Sequence, residues 1–102
     1  MNDSYEVQLA GLRRKFRDRA MAQSLDLEGI VSRLEDGGAA SRWETEIRRI
    51  AHSLAGAGGT FGFAELSAQA NELDEFARRL PGPVELAGAC RALISEIKRA
   101  AA

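Results

Sequence analysis

Ser41-Arg42-Trp43-Glu44-Thr45-Glu46-Ile47-Arg48-Arg49-Ile50-Ala51-His52-Ser53-Leu54 is the stretch that decides the fold. Trp43, Ile47, Ile50 and Leu54 recur in steps of four, three and four, the period of an α-helix that buries one face. Ser41 and Glu44 have the spacing of a capping box, in which each side chain satisfies a free backbone donor of the other residue. The helix is therefore expected to open at Ser41. It is expected to run to about Ala57, with Gly58-Gly59 marking its exit.

The same three- and four-residue steps continue in both directions, and no stretch alternates as a strand. Upstream, Tyr5, Leu9, Leu12, Phe16 and Ala20 form one stripe, and Leu27, Ile30, Val31 and Leu34 a second. The two stripes are in phase, so a single long helix would satisfy both. The preferred reading breaks the segment near Met21 to Ser24, with Ser24 capping the second piece. Gly37-Gly38 ends it. Downstream, a helix is expected from Gly62 or Phe63 to Leu80. Pro81-Gly82-Pro83 then forces a turn, and a last helix starts at Pro83, a favourable first-turn residue. Short connections make consecutive helices antiparallel. The expected fold is all-α: an antiparallel up-down four-helix bundle with an additional short N-terminal helix, in one domain over residues 1–102.

Composition narrows the function classes. Of 102 residues, 45% are apolar, enough for a core, and the formal net charge of -1 argues against a dedicated nucleic-acid binder. Arg13, Arg14, Lys15, Arg17 and Arg19 crowd the N-terminal third, but no stacking aromatics accompany them, and they read as a solvated helix face. No apolar run is long enough to span a bilayer. The stretch Met1 to Ser4 is polar and lacks the apolar segment of a signal peptide. The lone Cys90 forms no internal disulfide, which fits a reducing compartment. A cytoplasmic protein is expected, with neither nucleic acid nor membrane as partner. Cys90 shares a face with Ala87, Ile94 and Ile97 and reads as a buried structural thiol. Glu72, Asp74 and Glu75 read as a solvated acidic face, and no metal site is expected.

His52 stands out against this background. With the apolar arc of its helix set at zero, it points roughly 150° away, into solvent, at about 100° per residue. Arg48 and Arg49 precede it by one turn, Ala55 and Gly56 follow by one turn, and Gly59 lies further along the same line. Glycine within a helix costs about 0.5–1 kcal/mol relative to alanine. Small residues here offset that cost with access for another protein's surface, and the two arginines add charge that attracts a phosphoryl group or an acidic partner. A neutral imidazole is a capable nucleophile, and phosphoryl transfer needs mainly positioning and charge neutralisation. The chain has no G-x-x-x-x-G-K-[ST] element, so no ATP site of its own is expected.

Ala51-His52-Ser53-Leu54-Ala55-Gly56-Ala57-Gly58-Gly59-Thr60-Phe61-Gly62-Phe63 resembles the signature of histidine-containing phosphotransfer (HPt) domains, roughly A-H-x-L-K-G, a run of small residues, a glycine and then a helix. Ala51, His52, Leu54, Gly56 and Gly62 match, and Leu66, Ala70 and Leu73 continue into the next helix. The resemblance implies a phosphocarrier rather than an enzyme, with His52 as phosphoacceptor. It implies receiver domains of response regulators or hybrid histidine kinases as partners, with Mg²⁺ supplied by the receiver and no cofactor held by this chain. It also implies that Glu65 and Gln69 line the partner groove beside His52. Ala55 departs from the pattern, which commonly has lysine there. Two readings of that departure stand: Arg48 or Arg49 substitutes from the preceding turn, or the phosphorylated form relies more on the partner's metal and lysine. A monomer is expected. The alternative reading is a non-transferring helical adaptor that binds or inhibits a receiver or kinase through the same face.

Overall fold

A computed structural model describes residues 2–102; Met1 of the stretch read for a signal peptide lies outside them. Four helices follow in chain order: α1 (Asn2–Glu35), α2 (Ala40–Thr60), α3 (Ala64–Arg78) and α4 (Pro83–Ala101). There is no strand among the described residues.

The cross-helix pairs give the topology. Arg48 meets Asp74 and Ala55 meets Ser67, so α2 and α3 run antiparallel. Glu28 meets Lys98 and Glu35 meets Arg91, which makes α1 and α4 antiparallel. Arg19 reaches Ser53, and the first residues of α2 turn back beside the end of α1. The bundle is up-down, as its short connections require.

The additional short N-terminal helix does not form, because α1 is one continuous helix of 34 residues. The expected break at Met21 to Ser24 is absent for two reasons. The stripes on either side are in phase, and Ser24 is fully buried with its hydroxyl donating to the Met21 carbonyl at 2.6 Å. A serine bonded back to its own preceding turn caps nothing and leaves the helix intact. At 1.5 Å per residue α1 is about 50 Å long, which accounts for the longest dimension of the molecule, 54 Å. From Ser4 onward its first buried side chain is Phe16, while Tyr5, Val7 and Leu12 are exposed. The N-terminal third of α1 therefore extends past the other helices.

The start of α2 also differs from the capping-box expectation. The N-cap is Ala39, two residues before Ser41, and no side chain caps the helix. Ser41 thus lies inside the first turn, and Glu44 bonds Arg48 instead of the backbone. At its far end α2 continues through Gly58 and Gly59 to Thr60. The residue that stops it is Gly62, with φ +85°. Phe63 N–H donates to the Gly58 carbonyl at 2.8 Å, and the resulting Schellman closure needs a left-handed residue at Gly62. Gly37, φ +96°, closes α1 in the same manner, with Gly38 N–H donating to the Arg33 carbonyl at 2.8 Å.

One core runs through all four helices, from Phe16, Leu27 and Leu34 through Ile47, Ile50 and Leu54 to Leu66, Leu73, Leu86, Leu93 and Ile97. Cys90 is fully buried in it, and Trp43 packs partly buried against it. Burial pushes the Cys90 thiol up to about 12. Among the described residues, no helix is long and apolar enough to cross a membrane.

Candidate functional site

The middle of α2 carries the site. Ile47, Ile50, Ala51 and Leu54 are fully buried and hold the helix against the core. That anchoring turns His52 outward, and its side chain is exposed. Gly56, one turn on, is exposed, and a Cβ built there meets nothing within 4 Å. Gly59 is exposed as well, with only the Ser67 hydroxyl 3.5 Å from a built Cβ. Gly58 is different. It is buried where α2 passes the start of α3, and a Cβ there would lie 3.5–3.6 Å from the Phe63 carbonyl, the Ser67 amide and the Phe16 ring. Gly56 and Gly59 leave room around the histidine, whereas Gly58 belongs to the packing.

Ala55 does not share the outward face. It is only 7% exposed, and its carbonyl accepts the Ser67 hydroxyl at 2.7 Å. Three residues on from His52 is about 300° around the helix, which brings position 55 to the α3 side.

The two arginines before His52 are both held by carboxylates. Arg48 donates to Asp74 at 3.0 Å and to Glu44 at 3.1 Å, and these hydrogen bonds, Asp74 first, raise its guanidinium above the ordinary value. Arg49 donates to Glu46 at 3.1 Å. That bond raises the Arg49 guanidinium and lowers the Glu46 carboxyl. Asp74 is therefore half-buried as the Arg48 partner and is not part of a solvated acidic face, unlike the exposed Glu72 and Glu75.

Glu65 and Gln69 face away from the histidine. Glu65 pairs with Arg99 of α4 at 2.8 Å, and Gln69 lines a groove between α3 and α4 with Phe76, Arg79, Glu85 and Ala89. The side of α3 that meets α2 is given by Ser67 and Asp74, seven residues and about two turns apart. Residues two before and two after Ser67 stand about 200° around the helix, on the α4 side. Sequence reasoning missed Ser67 for this reason: periodicity gives the buried arc of a helix but not which flank of that arc meets which neighbour.

The N-terminal basic cluster adjoins the site. The Arg19 guanidinium donates to the hydroxyl of Ser53, the residue after His52. The guanidinium carbons of Arg13 and Arg17 lie 5.0 and 5.8 Å from the centre of the Phe63 ring. Phe16 packs between Phe61 and Phe63 at 5.9 and 5.2 Å. Expected as a solvated face, the cluster has three members engaged at this end of the bundle, while Arg14 and Lys15 are exposed. Among the described residues, no three of His, Cys, Asp or Glu gather as a metal-ligand set.

The arrangement offers one approachable imidazole on a helix anchored in the core, with arginines on the same and the preceding turn. A nucleophile so placed can attack an electrophilic phosphorus that a second protein carries to it.

The family model described as the Hpt domain matches residues 11–100 of the chain. No curated protein and no solved structure gives a significant match.

Proposed function

The chain belongs to the Hpt domain family, and from that premise we propose that His52 accepts a phosphoryl group from a receiver-domain aspartate or a hybrid histidine kinase and passes it to a response regulator. The observation that carries this reading is the exposed His52 opposite the buried Ile50 and Leu54, with open space over Gly56. An unprotonated ring nitrogen attacks phosphorus, the acyl-phosphate P–O bond breaks, and the aspartate leaves as carboxylate. The receiver supplies Mg²⁺ to neutralise charge in that step, and this chain supplies the nucleophile and its setting. It acts as a phosphocarrier, as a monomer in the cytoplasm.

The test mixes the protein with a phosphorylated receiver domain and Mg²⁺. An acid-labile, base-stable label should appear on the protein, and His52→Gln should remove it while circular dichroism stays unchanged. Labelling that persists in that variant overturns the assignment. A second reading, a non-transferring adaptor using the same face, draws on the buried Ala55 where the family pattern commonly has lysine. It requires receiver binding without phosphate uptake.

A further inference from the structure

We infer that Arg19, from α1, is the positioning cation for a phosphoryl group on His52. This rests on His52 being the phosphoacceptor. Four observations lead to it. First, Arg48 and Arg49 are each bound to carboxylates, Arg48 to two of them. To serve a phosphoryl group they must first break charge-assisted hydrogen bonds. Second, the side chain at position 55 is a buried methyl directed to α3, so the following turn of α2 offers no cation there.

Third, Arg19 takes part in no ion pair among the described residues; its guanidinium donates to the neutral Ser53 hydroxyl. A neutral acceptor competes weakly with a dianionic phosphoryl group for a guanidinium. Fourth, Ser53 adjoins His52 in the chain. The contact therefore holds the five-donor guanidinium on the same turn of α2 as the histidine, about 100° around the helix from it, before any phosphate arrives. On phosphorylation the fork turns from the Ser53 oxygen to the phosphoryl oxygens. No bond is made or broken by Arg19; it neutralises charge and orients the group.

The experiment loads the protein with phosphoramidate, a small donor that brings no partner surface. The lifetime of the phosphorylated form is then followed. Arg19→Gln should change that lifetime about fivefold, the size of a partly exposed charged hydrogen bond. Arg19→Lys should restore part of it. Arg14→Gln, an exposed arginine elsewhere on α1, should match the wild type. In the wild-type protein, the Arg19 side-chain Nε–H resonance should shift on phosphorylation more than that of Arg14. An unmoved Arg19 resonance overturns the inference, as does an Arg19→Gln lifetime equal to the wild type or an equal effect from Arg14→Gln. Each of those results leaves His52 as acceptor intact, whereas loading that survives His52→Gln would sink the underlying reading.

Discussion

Nε of Arg48 donates to Oδ1 of Asp74 at 3.0 Å and joins α2 to α3 one turn before His52. The pair is half-buried, and Glu44 holds the other end of the guanidinium. Asp74→Asn keeps the shape and removes the charge. It should lower the melting temperature, and the loss should shrink at high salt, where partly exposed ion pairs are screened. Thermal melts of both proteins at low and high salt check this; an unchanged melting temperature at low salt would show that the pair adds no stability.

Two glycines near His52 should respond in opposite ways. A Cβ at Gly56 meets open space, so Gly56→Ala should stabilise the helix by about 0.5–1 kcal/mol. Gly56→Leu should fold normally and slow phosphate acceptance, because its bulk stands in the approach to His52. At Gly58 a leucine would press on Phe16 and the start of α3. Gly58→Leu should cost about 1–3 kcal/mol of stability. Urea melts paired with transfer rates separate the two positions; equal destabilisation by both leucines contradicts the placement.

Ser24 distinguishes a continuous α1 from a broken one. As a cap its loss would cost about 0.5–2 kcal/mol. Buried and bonded back to Met21 within the helix, it contributes far less. Ser24→Ala should leave the unfolding midpoint within about 0.5 kcal/mol of the wild type. A drop of cap size in a denaturant titration would argue for a break that the structure does not contain.

Cys90 should be inert in the folded protein. Burial raises its thiol to about 12, so little thiolate forms at mildly alkaline pH, and the fully buried sulfur is out of reach. Thiol alkylation should be slow until denaturant is added, then fast. A proton held more tightly by the folded state stabilises it fully below the ordinary thiol range. That contribution is lost as pH rises from there toward about 12, because only the unfolded chain ionises in that window. Cys90→Ala should flatten this part of the stability–pH curve; rapid alkylation of the native protein would contradict the burial.

Much of the molecule was legible from side-chain order alone. The spacing of Trp43, Ile47, Ile50 and Leu54 set the buried arc of α2 and so sent His52 to solvent. Gly37 and Pro83 marked helix ends through backbone conformation, which is local. The errors were also physical. Gly58-Gly59 read as an exit, yet glycine continues a helix when packing holds it, and the stop fell to Gly62. Ser24 and Ser41 read as caps, yet a helix also admits serine in its interior, as Ser24 bonded back to Met21 shows.

The sequence by itself determined the all-α class, the outward histidine and the family, because these depend on periodicity and on a short contiguous string. Only the tertiary structure decided which residues surround that histidine. It turned Glu65 and Gln69 to α4, buried Ala55, tied Arg48 to Asp74 and brought Arg19 from α1 to Ser53. Those outcomes depend on the rotation and register of each helix against its neighbours. Interlocking of side chains across the interfaces sets them, and no single helix encodes them.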